Sequence, residues 1–316
     1  MRCSICIATY RRPKLLKKLL ISLSNQQVPE NFEKEIVIVD NDAHETARPV
    51  FKQFANNNQN IKYFVQPVKN ISLTRNEAVK NASGDYLVFI DDDEHADPNW
   101  LKNLIETIEN YKADVVIGRI LSEYPPDTPE WVKSVFIFNR PASPTGEKPF
   151  YTYTGNCIIK RSAVEKFQGP FDISYGLSGG EDTHLFTRIR RNGGKIVSCY
   201  EAVTYEFVPK ERTKFSWQFK RAFRLGNNYC RRYIEFANGS KIIASFKCAL
   251  QSLLYAVISL ILSIITFPFM KERVHWLLKV SANLGKFTAV FGHQAKEYKE
   301  KKNNKIFVNK YPEFST

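Results

Sequence analysis

Short apolar runs alternate with amphipathic stretches along the first 120 residues. "CSICIA" (3–8), "EIVIVD" (35–40), "IKYFV" (61–65), "DYLVFI" (85–90) and "ADVVIG" (113–118) have the length and β-branched content of buried strands. Between them the spacing predicts helices from Pro13 to about Asn25, near 45–57, near 72–82 and near 98–110. Strands alternating with helices of this length predict right-handed βαβ units on a parallel sheet. Ligands of such sheets bind at the carboxyl ends of the strands. The polar clusters fall there: Thr9-Tyr10-Arg11-Arg12 after the first strand, Asp40-Asn41 after the second, Asp91 to Glu94 after the fourth.

Further along, residues 120–150 carry six prolines and read as a loop or lid-like insertion. "YTYTGNCIIKRSAVEKF" reads as a strand leading into a helix, and "SGGEDTHLFTRI" as a glycine turn opening an amphipathic helix. Aromatic residues recur at near-helical spacing over 211–236, predicting an amphipathic helix packed on the body, with Arg221, Arg224, Arg231 and Arg232 open to diphosphate or lipid headgroups. "ALQSLLYAVISLILSIITFPF" (249–269) is 21 residues without a charge. As a helix it measures about 31 Å, close to the hydrocarbon thickness of a bilayer. The next segment, 274–292, is broken by Lys279, Asn283 and Lys286 and reads as an interfacial helix.

Charge sharpens this picture. The chain has 316 residues and a net charge of +14, yet residues 1–209 hold 26 basic and 26 acidic side chains. The excess therefore lies in the last third, beside the apolar segment. A neutral body with a basic, apolar end points to an anionic membrane surface and away from nucleic acid. Positive flanks on both sides of 249–269 favour a shallow hairpin over a single span, leaving crossing or lying in the interface open. The six scattered cysteines read as reduced thiols, with Cys3 and Cys6 on opposite faces of one strand.

Two acidic motifs carry the candidate chemistry. Asp91 and Asp93 are two apart at a strand end, so they converge if the extended geometry continues. Two such oxygens suit a hard divalent cation that keeps waters and meets substrate phosphates. Asp92 then faces the other way, toward a ribose or solvent, and Glu94 begins the turn. Glu181 and Asp182 follow Gly180 at a helix start, where the dipole stabilises carboxylates and glycine lets a ligand approach; Asp182 there can act as a general base. His184 reads as a packing or capping residue. No glycine follows the first strand, which excludes G-x-G-x-x-G and P-loop phosphate cradles.

With "CIATYRRP", "IVIVDN", "NISLTRNEAVKNASGDYLVFIDDDE", "TGNCIIKRSAV", "FDISYGLSGGEDTHLFTRI" and "YEFVPKERTKFSWQFKRAFRLG" in this order, the chain resembles the family 2 glycosyltransferases of bacterial envelope and exopolysaccharide type over about residues 1–235. The resemblance implies an inverting enzyme with a GT-A nucleotide-sugar fold, a Rossmann-like mixed sheet flanked by helices. Together with the charge and hydropathy pattern above, it divides the chain into a catalytic domain (1–210, with a nucleotide-binding half 1–118 and an acceptor and catalytic half 119–210), a basic amphipathic helix (211–240), an apolar membrane-associated hairpin (241–293) and a Lys-rich tail (294–316). It implies nucleotide contacts from Thr9, Tyr10 and Arg11, base reading by Asp40, diphosphate contact by Arg75, and nucleotide contact by Asp92. Mg²⁺ or Mn²⁺ would sit on Asp93 and Asp91, with Asp182 as catalytic base. Gly155, Asn156, Gly180, Glu181, Glu206 and Arg212 would line the donor and acceptor, Glu206 standing where relatives often place a histidine ligand.

The expected function is transfer of a sugar from a nucleotide-diphosphate donor to a hydroxyl of a lipid-linked or envelope glycan, at the cytoplasmic face of the bacterial inner membrane. A second reading is transfer onto a polyprenyl phosphate. A more distant one is a non-enzymatic, basic membrane- or nucleic-acid-binding protein. The neutral body with acids at both predicted ligand ends argues against the last, because polyanions are repelled there.

Overall fold

The computed structural model describes residues 1–56, 60–135, 137–138 and 140–297. The elements in chain order are β1 (Arg2–Thr9), α1 (Pro13–Ser24), β2 (Glu33–Asp40), α2 (Arg48–Ala55), β3 (Ile61–Val65), α3 (Ile71–Asn81), β4 (Tyr86–Ile90), β5 (Glu94–Ala96), α4 (Trp100–Asn110) and β6 (Val115–Glu123). They continue with α5 (Glu130–Ser134), β7 (Asn156–Lys160), α6 (Ser162–Glu165), α7 (Glu181–Arg191), β8 (Ile196–Phe207), α8 (Phe215–Glu235), α9 (Lys241–Ile265) and α10 (Met270–Val290). The strands form one eight-stranded sheet in the order β3-β2-β1-β4-β7-β6-β8-β5.

The first half matches the alternating pattern: β1, β2, β3 and β4 pair in parallel, and their carboxyl ends share one edge. Beyond β4 the sheet turns mixed. β7 runs antiparallel to β4 and β6, and β5 antiparallel to β8. Apolar clusters cover both faces, Cys3 lying in one and Cys6 in the other. All six cysteines are buried and free.

Asn156 was expected beside the donor sugar and is instead fully buried. Its Oδ1 accepts the Trp100 indole N–H at 2.8 Å, and its Nδ2 donates to the carbonyls of Ala202 (2.9 Å) and Arg119 (3.0 Å). It ties α4 to β6, β7 and β8. A buried amide with its donors and acceptor used inside the fold is a structural knot with nothing left for a ligand.

Contacts cross residue 210: Val208 and Ala222 share one apolar cluster. Helix α8 lies along the segment before α7: Asn228 Nδ2 donates to the carbonyls of Ser178 (3.0 Å) and Gly179 (2.8 Å), and Arg231 Nη1 to Ser178 Oγ at 3.0 Å. Helix α10 closes on α8 through glycines: a Cβ on Gly226 would meet the Ala282 carbonyl oxygen at 1.8 Å, and one on Gly285 that of Phe223 at 1.9 Å. Helices α9 and α10 pack together, and α10 also packs on the protein body through Val274 and Leu278. Helix α9 has one buried and one exposed face. Its inner stripe is small, with Ala244, Cys248, Ser252, Ala256, Ser259 and Ser263 buried. Its outer face is large and apolar, with Ile242, Phe246, Leu250, Leu254, Ile261 and Ile264 exposed. The Lys-rich tail beyond residue 297 lies outside the described residues.

Candidate active site

The fully buried strand β4 delivers the acid run to the carboxyl edge of the sheet. The chain does not stay extended there. The Glu94 N–H donates to the Asp91 carbonyl at 3.1 Å, closing a turn. The extended geometry behind the period-two argument therefore ends at Asp91; Asp92 and Asp93 share Arg12, and Asp91 still feels the charge of Asp93. Arg12 Nη1 bridges Asp92 Oδ1 (2.8 Å) and Asp93 Oδ2 (3.0 Å), and Arg212 Nη2 reaches the same Asp93 oxygen at 3.2 Å. Thr9 Oγ1 donates to Asp92 Oδ2 at 2.8 Å, so Asp92 faces protein, not ribose or solvent. Burial raises the Asp92 carboxyl to about 6 against the pull of Arg12. Burial also opposes charge on Asp93, but Arg12 and Arg212 overcome it and hold that group below its ordinary value.

Glu94 is more than the start of a turn. It opens β5, pairs in register with Glu206 on β8, and is buried. Its Oε2 has no hydrogen-bond partner among the described residues. Burial first, then the charges of Asp91 and Glu206, push its carboxyl well above the usual range. Glu206 is held by Arg140 Nη2 at 2.9 Å and Arg212 Nη1 at 3.1 Å. Gly155 lets its backbone approach this crowd: a Cβ there would stand 2.6 Å from Glu94 Oε1 and 3.2 Å from Asp91 Oδ2.

The second motif is built by two left-handed glycines, Gly179 (φ +76°) and Gly180 (φ +89°), lying on Asn228 of α8. They turn the chain so that α7 begins with Glu181 buried and Asp182 half-exposed. Asp182 Oδ1 accepts the Thr183 N–H (2.6 Å) and hydroxyl (3.1 Å), while Oδ2 has no hydrogen bond among the described residues. His184, one turn into α7, packs between Tyr175 and Phe236 and places Nε2 2.9 Å from Glu235 Oε1. Arg75 joins the two motifs. Its Nη2 donates to Asp91 Oδ1 at 2.9 Å, and its Nη1 pairs with Glu181 Oε1.

Burial raises Glu181 to about 7 despite Arg75, with the neighbouring Asp182 adding to the rise. A carboxyl raised above its unfolded value contributes stability that is full below about 4.5 and is lost as pH climbs through about 7. Denaturant titrations from pH 4.5 to 8 are therefore expected to show a falling contribution that Glu181→Gln removes. An unchanged slope in that variant would place the titration elsewhere.

On the nucleotide side, Tyr10 lies under two cations: the Arg11 guanidinium 5.1 Å and the Lys69 ammonium 4.7 Å from its ring centre. Arg11, at φ +54°, grips Asp42 with Nε (3.1 Å) and Nη2 (3.2 Å). Asp40, expected to read the base, is fully buried. It accepts the N–H groups of Asp42 (3.0 Å) and Ala47 (2.9 Å) and the Tyr63 hydroxyl (2.9 Å). It shapes the loop after β2 and presents no oxygen outward. Beside it the Arg11–Asp42 pair ties a part-exposed guanidinium to a buried carboxylate, and Asp42 is unassigned in sequence. Arg12 and Arg140, also unassigned in sequence, hold acids directly.

The donor set around the turn is all oxygen, from Asp91, Asp93, Glu94 and Glu206, with one buried carboxylate oxygen unpartnered and a glycine opening the approach. That chemistry fits a hard divalent cation such as Mg²⁺ or Mn²⁺.

A sequence profile described as "Glycosyl transferase family 2" matches residues 4–167. Among curated proteins, the chain is 33% identical over 290 residues to a succinoglycan biosynthesis protein, ExoM, of Rhizobium meliloti, covering 91% of this chain and 92% of the relative. It is 24% identical over 212 residues to a glucosyl-dolichyl phosphate glucuronosyltransferase of Haloferax volcanii, covering 63% and 66%. Two solved structures share the fold. They are Staphylococcus aureus TarS in complex with UDP (TM-score 0.53, 17% identity, 93% and 92% covered) and a Pyrobaculum calidifontis mannosyltransferase in complex with GDP-Man and Mn²⁺ (TM-score 0.60, 17% identity, 90% and 86% covered). With its sheet, its acidic turn and these matches together, the chain belongs to glycosyl transferase family 2 and is a glycosyltransferase.

Proposed function

We propose that the protein moves a sugar, with inversion, from a nucleotide-diphosphate donor to a hydroxyl of a lipid-linked or envelope glycan. The observation that carries this reading is Arg75, whose single guanidinium holds Asp91 of the turn and Glu181 of the α7 start. It links a cation-binding group to the residue that adjoins the base, so both motifs border one site, as a displacement at one carbon requires.

In this reading the acceptor oxygen attacks the anomeric carbon from the side of Asp182, and the free Oδ2 takes its proton. The new C–O bond forms as the bond to the diphosphate breaks, and the diphosphate leaves with its charge on the opposite side. Arg75, Arg12 and Arg212, already gathered on the acids, meet that charge. Asp93 and Asp91 would hold Mg²⁺ or Mn²⁺, which supplies further neutralisation of the leaving group. Thr9, Tyr10 and Arg11 would border the nucleotide, and Gly155, Gly180 and Glu206 the sugar.

The setting is the cytoplasmic membrane face. Helix α9 has small residues inward and large apolar ones outward, the arrangement of a helix that faces lipid. In this reading it lies in the interface, with α10 beside it packed on the protein body. Purified protein with a donor panel and membrane extract is expected to release one nucleotide diphosphate, dependent on acceptor and abolished by EDTA. No release from any donor would sink the reading, and EDTA-resistant release would remove the metal.

A further inference from the structure

The segment after α10 returns to the loop that carries the base. It runs back along α8, where the buried Asn227 holds it at two points. The Asn227 Nδ2 donates to the His293 carbonyl at 2.9 Å, and its Oδ1 accepts the Ala295 N–H at 3.3 Å. The Phe223 ring meets the His293 ring edge-on, with centres 6.1 Å apart. Two residues further, Glu297 reaches the glycine loop. Its N–H donates to the Leu177 carbonyl at 2.9 Å. Its carboxylate pairs with Arg224 and, at 3.2 Å, with Arg221. Residues 293–297 thus form a strap from the end of α10 to the 177–180 segment that opens α7.

Arg224 links the strap to the base. Its side chain is buried, and Nη1 donates to the Ser178 carbonyl at 3.3 Å. The same nitrogen lies against Gly179, where a Cβ would stand 3.1 Å from it. Among the described residues, Glu297 is the acid paired with Arg224. A buried guanidinium that loses its counter-charge is driven toward water. Ser178 and Gly179 would move with it, because the left-handed glycines at 179 and 180 offer little resistance to a change of backbone angle. Asp182 follows two residues after Gly180, and a displaced base loses its line to the acceptor hydroxyl. We propose that Glu297 is a positioning residue for the transfer reaction. It neutralises Arg224, ties Leu177, and so holds the 177–180 segment and Asp182 in place. This rests on the reading of Asp182 as base. Glu297 lies far beyond the catalytic range 1–210 read from sequence, so the chain that follows the apolar helices serves the active site.

The test uses full-length protein and follows acceptor-dependent nucleotide release. Glu297→Gln is expected to lower kcat roughly ten- to a hundredfold, the cost of a reacting group displaced by up to about 1 Å. Donor KM should stay at its wild-type value, which also shows that the nucleotide half is folded. Glu297→Asp keeps the charge and should recover part of the loss. The decisive readout is the Asp182→Asn background. If Glu297 acts through the base, adding Glu297→Gln there costs little more, because the two losses are coupled. A contact that only supports the fold would lower turnover by the same factor in both backgrounds, and that result overturns the proposal. A raised donor KM overturns it too, by placing the effect on the nucleotide side. So does wild-type kcat in Glu297→Gln beside a slow Asp182→Asn, which leaves the base reading standing. Wild-type turnover in Asp182→Asn is a different failure: the base reading falls, and with it the role given to Glu297.

Discussion

Asp182→Asn is expected to lower acceptor-dependent turnover by roughly 10²–10⁴-fold, the usual contribution of a positioned base, and to leave donor KM within about twofold. The substitution is nearly isosteric. Its Oδ1 still accepts from Thr183, and the buried pair of Glu181 with Arg75 is untouched, so the start of α7 keeps its geometry. What is lost is the capacity of Oδ2 to take a proton. Single-turnover kinetics at saturating donor separate this from a binding defect. The same variant discriminates between acceptors. A hydroxyl needs its proton removed, whereas a polyprenyl phosphate attacks as an anion. Wild-type turnover in Asp182→Asn would therefore remove the base assignment and favour phosphate as the nucleophile.

The part of the fold visible in sequence is the part built from local pattern. The strands β1 to β4 and their helices fall within a few residues of the predicted ranges because each is a separate apolar run closed by a polar end. The second half hides for physical reasons. β8 spans twelve residues, but Tyr200 and Glu201 face out where its pairing with β6 shifts register, which breaks the alternation. β5 is three residues long and exists only because β8 is beside it.

The site divides the same way. Acids and glycines at strand and helix ends are legible, but their partners are not. Arg75 and Glu181 are 106 residues apart, and Arg212 and Asp93 are 119 apart. Asp40 and Asn156 mislead for a shared reason. A polar residue at a buried strand end can serve a ligand or satisfy the fold's own N–H and C=O groups, and both sequences look alike. Here the neighbouring loop groups of Asp40 and the Trp100 indole claim them first. Strand periodicity pairs Asp91 with Asp93, whereas a turn closed by the Glu94 N–H on the Asp91 carbonyl sets their actual directions.

Arg75→Ala is expected to be the most damaging single substitution, costing about 3–5 kcal/mol of stability at pH 8, the usual loss when one member of a buried ion pair is removed. Arg75 is itself buried, and its removal leaves Glu181 enclosed without a counter-charge. The loss has a pH signature. Glu181 already titrates near 7 with Arg75 present, and without it the carboxyl is driven higher. Near pH 5 the group is protonated in either protein, so the two differ less; as pH rises through 7 the variant falls away. Chemical denaturation at pH 5 and pH 8 reads this directly. Glu181→Gln in the same background removes the stranded charge, so the double variant should be more stable at pH 8 than Arg75→Ala alone, the mark of direct coupling. If the double variant gained nothing, the stability held by Arg75 would reside in its contact with Asp91, and the bridge would serve the acidic turn and not the base. Transfer stays lost in the double variant, because neither substitution returns a cation to the leaving group; recovery of stability without activity separates the fold's need for Arg75 from the reaction's.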